Sequence, residues 1–63
     1  MLVKHEIKNH KKWIVKNIVD GEATRVSSET LSLADAIELS KIMNSEIVNS
    51  EIDNDVLILW INL

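Results

Sequence analysis

Apolar positions are densest at the end of the chain, where Val56, Leu57, Ile58, Leu59, Trp60, Ile61, Asn62 and Leu63 include a single polar residue. The run leans to β-branched and aromatic types and reads as a strand buried on both faces. Side chains alternate across a strand. Val56, Ile58, Trp60 and Asn62 therefore point one way, and Leu57, Leu59, Ile61 and Leu63 the other. One helix can cover one face. The opposite face needs a second sheet, another chain or a membrane, and a helical bilayer span takes about 20 apolar residues. The pattern thus predicts a homodimer or higher homo-oligomer, with Val56, Ile58 and Trp60 at the contact.

Earlier in the chain the alternation is weaker. Residues 2–8 read as a first strand, with Val3, His5 and Ile7 on one face. Asn9 to Lys12 read as a turn, and residues 13–19 as a second strand. Asp20-Gly21 then signals a two-residue hairpin loop, because a type I′ turn needs positive φ at both central residues. Residues 22–28 return as a third strand. In this register Val15 faces Val26, Lys16 faces Arg25 and Ile18 faces Ala23. Val3, Ile7, Ile14, Ile18 and Ala23 share the predicted core side, with Trp13, Val15 and Val26 opposite. The same register lines up His5, Lys16 and Arg25, an unfavourable row of like charges.

A helix is predicted to open at Thr30-Leu31-Ser32, with Ser32 and Asp35 as a capping box. At about 100° per residue, Leu33, Ala36, Ile37, Leu39 and Met43 fall in one apolar arc. Ile42 falls among the polar residues and becomes a secondary interface candidate. The preferred helix end is near Asn44, although Ile47 would also fit an extension to about Val48. A weak strand over residues 46–52, a turn at Asp53-Asn54 and the final strand complete the chain. The order is β-β-β-α-β-β, or β-β-β-α-β with the longer helix. The predicted class is α+β: a small antiparallel sheet with one amphipathic helix packed on one face, in a single domain over residues 1–63.

Length sharpens the case for a partner, since a domain of 63 residues is marginal alone and buries only about 60% of its unfolded surface. No cysteine is present to staple it. Lys4, His5, Glu6 and Lys8 interrupt the start, which argues against a signal peptide and for a cytoplasmic location. The lack of proline and the abundance of Ile, Asn and Lys suggest an AT-rich coding sequence, such as that of a low-GC bacterium or its phage.

Charge is divided along the chain. Residues 1–19 carry five lysines against Glu6, a balance of +4; residues 20–63 carry nine acids against Arg25 and Lys41, a balance of −7. Such halves can attract one another or present two different surfaces.

Candidate chemistry is sparse. His5 and His10 stand among lysines, without the further ligands that a metal site or general base needs. Asp53-Asn54-Asp55 resembles the start of a calcium loop, but Ile58 stands where that loop requires glycine, and no twelfth-position glutamate follows. No catalytic, cofactor or metal residue is assigned, and no enzyme is expected. Lys4, Lys8, Lys11 and Lys12, with Trp13, could bind nucleic acid through phosphate contacts and base stacking. Overall acidity and a single arginine weigh against that footprint. Glu46, Glu51, Asp53 and Asp55 suggest another possibility, an acidic surface imitating nucleic acid. Over residues 12–63 the hairpin–helix–strand order and acidity loosely resemble the small phage inhibitors of uracil-DNA glycosylase. That resemblance implies an inhibitor of a DNA enzyme and carries over no site residues. The leading expectation is a small phage-like protein acting by protein–protein contact.

Overall fold

A computed structural model describes residues 1–21 and 23–63. The fold is α+β. A short helix α1 (Val3–Glu6) runs on into a 3-10 turn at Ile7–Asn9. It is followed by β1 (Trp13–Asn17), β2 (Ala23–Ser27), α2 (Ala36–Met43), β3 (Asn49–Asp53) and β4 (Val56–Ile61). The four strands form one sheet in the order β2-β1-β4-β3. Two antiparallel hairpins, β1–β2 and β3–β4, meet side by side through parallel pairing of β1 with β4. The sheet is therefore mixed, where the sequence pattern predicted an antiparallel one.

Parallel pairing follows from what covers β4. Its residues are apolar on both faces, which suits a central position rather than an edge. The polar strand β3, exposed throughout, takes the edge instead. In register, Trp13 lies beside Leu57, Val15 beside Leu59 and Asn17 beside Ile61. These side chains point to the helices. The apolar ones form the core with Val3, Val26 and Ile42, and Ile7, Ala34, Leu39, Met43 and Ile47 pack around it.

Residues 2–8 do not form the predicted strand. Val3 and Ile7 are spaced i, i+4, which satisfies a helical stripe as well as a strand. In α1 and its 3-10 extension both join the core side, while Lys4 and Lys8 remain exposed. The segment is clamped to the chain beyond α2. Val3 N–H donates to Ser45 O at 3.1 Å, Ile47 N–H donates to Met1 O at 3.0 Å, and the terminal amine meets Glu46 Oε2 at 2.8 Å.

Removing that strand dissolves the predicted row of cations, and the first hairpin differs too. Val15 does pair with Val26, but a bulge follows, so that Lys16 lies opposite Thr24 and Asn17 opposite Ala23. Arg25 becomes the extra residue. A bulge re-aims a side chain, and the Arg25 guanidinium reaches Asp20 at 3.0 Å and Glu38 of α2 at 3.6 Å. The two-residue loop is also replaced. Asn17 Oδ1 accepts from Val19 N–H, bending the chain into a 3-10 turn at Ile18–Asp20 before Gly21 supplies positive φ. Glu22, the predicted start of the third strand, lies outside the described residues. The core side is consequently the reverse of the one predicted for the first hairpin. Trp13, Val15 and Val26 face inward, while Ile14 faces away and Ile18 and Ala23 are exposed.

Helix α2 begins later than predicted, because Asp35 rather than Ser32 is its N-cap. Its carboxylate accepts from Ile37 N–H at 2.8 Å and Glu38 N–H at 3.1 Å, meeting two donors the helix cannot satisfy itself. Leu31–Leu33 forms a separate 3-10 turn. The helix ends at Met43 with Asn44 as C-cap, as the preferred boundary had it. Asn54 and Asp55 both have positive φ, 52° and 67°, so a two-residue I′-like loop joins β3 to β4 one position beyond the predicted turn.

Candidate functional site: the open face of the sheet

The helices cover one face of the sheet, and alternation places a second set of side chains on the other. Cross-strand pairing arranges these in rows. Lys16 of β1, Trp60 of β4 and Asn49 of β3 form one row. Ser27 of β2, Ile14, Ile58 and Glu51 form the next. Val56 pairs with Asp53 in the third, and Lys12 precedes β1 on the same side, where it lines a depression with Trp13, Ile14, Thr24, Ser27, Ser28, Glu29 and Val56. That depression has a volume of about 170 Å³. A shallower one of about 560 Å³ lies at the other end, between Trp60, Ile18, Val48, Asn49 and Glu51.

An apolar row, Val56–Ile58–Trp60, therefore runs along the middle of this face. Lys12 and Lys16 flank it on the β1 side, and Glu51 and Asp53 on the β3 side. Ile58 and Trp60 lie outside the core cluster, yet each is only 9% exposed. In register, Ile58 lies between Ile14 and Glu51, and Trp60 between Lys16 and Asn49. Beside Trp60, Ile18 and Val48 are exposed and extend the apolar surface.

Other residues singled out in the sequence are dispersed. Ile42 does not reach the surface: it is 1% exposed and lies within the core cluster. The inward stripe of α2 is Leu39, Ile42 and Met43, spaced i, i+3, i+4, whereas Ile37 and Leu33 are 71% and 83% exposed. The clamp between residues 1–3 and residues 45–47 sets this rotation, bringing Val3 into the same cluster as Ile42. Trp13 is likewise corrected. At 6% exposure it belongs to the core cluster and offers no exposed indole face for base stacking, although it lines the depression beside Lys12. Of those lysines, Lys4 donates to Asn44 Oδ1 at 2.9 Å, Lys8 and Lys11 are exposed, and Lys12 belongs to the open face. Glu46 holds the terminal amine, apart from Glu51 and Asp53.

A second apolar surface was missed because the helix arc was assigned inward. Ile37 and Leu63 line a depression with Arg25, Asp35, Glu38 and Lys41. Among the described residues, no group of three or more His, Cys, Asp or Glu side chains could hold a metal ion. Among the same residues no helix is long and apolar enough to cross a membrane. No protein-family model, curated protein or solved structure matches the chain.

Proposed function

We propose that this chain is a small interaction protein, working by contact rather than catalysis, and that it pairs with a second copy of itself through the open face of its sheet. The observation that supports this reading is the apolar row Val56–Ile58–Trp60, joined by Ile14, on the sheet face opposite the helices: Val56 and Ile14 are half-buried, and exposed Ile18 and Val48 stand beside the largely buried Trp60. A sheet with apolar side chains on both faces is ordinarily packed on both, at about 10 Å from its neighbour. The small size of the domain adds weight, since oligomerisation is a common remedy for a limited core. The proline-free, Ile-, Asn- and Lys-rich composition supports a phage-type protein, and the charged residues Lys4, Glu6 and Lys8 near the start support a cytoplasmic one.

Sedimentation equilibrium over a range of concentrations tests the reading. The expected mass is that of two or more chains. Ile58→Asp should give monomer or insoluble protein. Ile58→Thr, which keeps a β-branched side chain, should stay folded and associate more weakly. A wild-type monomer, or an unchanged oligomer in both variants, would overturn it.

A second reading, nucleic-acid binding by Lys8, Lys11 and Lys12, is favoured by one observation. Among the described residues none of the three is paired with a carboxylate. It predicts DNA or RNA affinity that falls steeply with salt and is lost in Lys8→Glu/Lys11→Glu/Lys12→Glu. No binding at low salt would exclude it.

A further inference from the structure

We infer that the two copies stack face to face about a two-fold axis running along β4, so that Lys12 and Lys16 of one chain oppose Asp53 and Glu51 of the other. The inference rests on the homodimer reading and deepens it by specifying the geometry.

The open face is asymmetric across its width. Lys12 and Lys16 stand on the β1 side of the Val56–Ile58–Trp60 row, and Glu51 and Asp53 on the β3 side. Two copies that present the same face to each other are related by an axis lying between the sheets. Aligned sheet packing leaves two directions for it. An axis across the strands lays β1 over β1 and β3 over β3, which sets lysines against lysines and carboxylates against carboxylates. Like charges so placed disfavour a complex. An axis along β4 lays the apolar row on itself and exchanges the flanks, so that β1 of each copy lies over β3 of the other. Lys12 then lies across from Asp53. Lys16 lies across from Asn49, within one strand repeat of Glu51. Both contacts occur twice by symmetry, and the apolar row between them excludes water from the centre.

The same exchange explains how an acidic chain with net charge −3 could pair with itself. Net charge opposes association, but the strands flanking the row carry Lys12 and Lys16 on one side and Glu51 and Asp53 on the other, with Glu29 beside Lys12, and these flanks are complementary to their own rotated copy.

The test uses two charge-reversed full-length chains. One carries Lys12→Glu and Lys16→Glu; the other carries Glu51→Lys and Asp53→Lys. All four positions are on the surface or half-buried, and circular dichroism checks that each variant folds. In this geometry each variant alone places like charges at every contact, and its self-association should weaken about tenfold or more at low salt. An equimolar mixture restores opposite charges at every contact and should form a 1:1 heterodimer. A control, Lys4→Glu/Lys8→Glu on the helical layer, has the same net charge as the first variant and should dimerise as the wild type does. A wild-type dimer whose reversed variants still self-associate normally would overturn this geometry and leave the homodimer standing. So would variants that stay monomeric when mixed, or a control weakened as much as the first variant. A monomeric wild type would overturn both the geometry and the homodimer.

Discussion

Asn17 Oδ1 accepts a hydrogen bond from the backbone N–H of Leu63 at 3.3 Å, across 46 residues of sequence. The same oxygen accepts from Val19 N–H at 3.2 Å. Asn17 is 3% exposed, the one buried polar side chain among the described residues. One acceptor thus shapes the turn after β1 and ties down the chain beyond β4. Asn17→Ala would leave two backbone donors short of a partner, at a cost of about 1–3 kcal/mol. Urea denaturation should show that loss, and amide exchange should quicken at Val19 and Leu63 before it does at Leu59.

Ile42 and Ile37 lie on the same two-turn helix and have opposite fates. Ile42→Ala removes methylenes from a packed site and should destabilise by about 2–5 kcal/mol. Ile37→Ala, at an exposed position, should change stability by no more than about 0.5 kcal/mol. Equal effects in thermal or chemical denaturation would mean that α2 is rotated from the position described.

The β3–β4 loop offers a stabilising change. Asp55 holds φ at 67°, where an L side chain is strained and glycine is not. Asp55→Gly yields Asn-Gly, the favoured two-residue I′ pair, and should raise stability by up to about 1 kcal/mol. A lower denaturation midpoint would argue against the I′ geometry.

Several features were legible because they depend on neighbours in sequence. The buried final strand, the helix end near Asn44 and the Val15–Val26 pairing each follow from local periodicity or turn chemistry. Where two periods fit the same residues, local pattern could not choose. Val3 and Ile7 satisfy both a strand and a helical turn. The apolar residues of α2 are spread widely enough for either Ile37 or Ile42 to face inward. The Asp20-Gly21 signal was real in that Gly21 adopts positive φ, but Asn17 captured Val19 N–H first and lengthened the loop.

The chain's own pattern determined that β4 would be buried on both faces and that one helix would pack on a small sheet, because apolar spacing and capping act over a few residues. Only the tertiary structure decided that β1 and β4 run parallel, that Trp13 turns inward, and that Ile42 lies in the core. Those outcomes depend on contacts between segments distant in sequence: Val3 with Ser45, Arg25 with Glu38, and Asn17 with Leu63. The flanking of the Val56–Ile58–Trp60 row by lysines on one side and carboxylates on the other belongs to the same class. Lys12 and Asp53 are far apart in the chain, and it is the placement of β4 between their strands that sets them on opposite sides of one face.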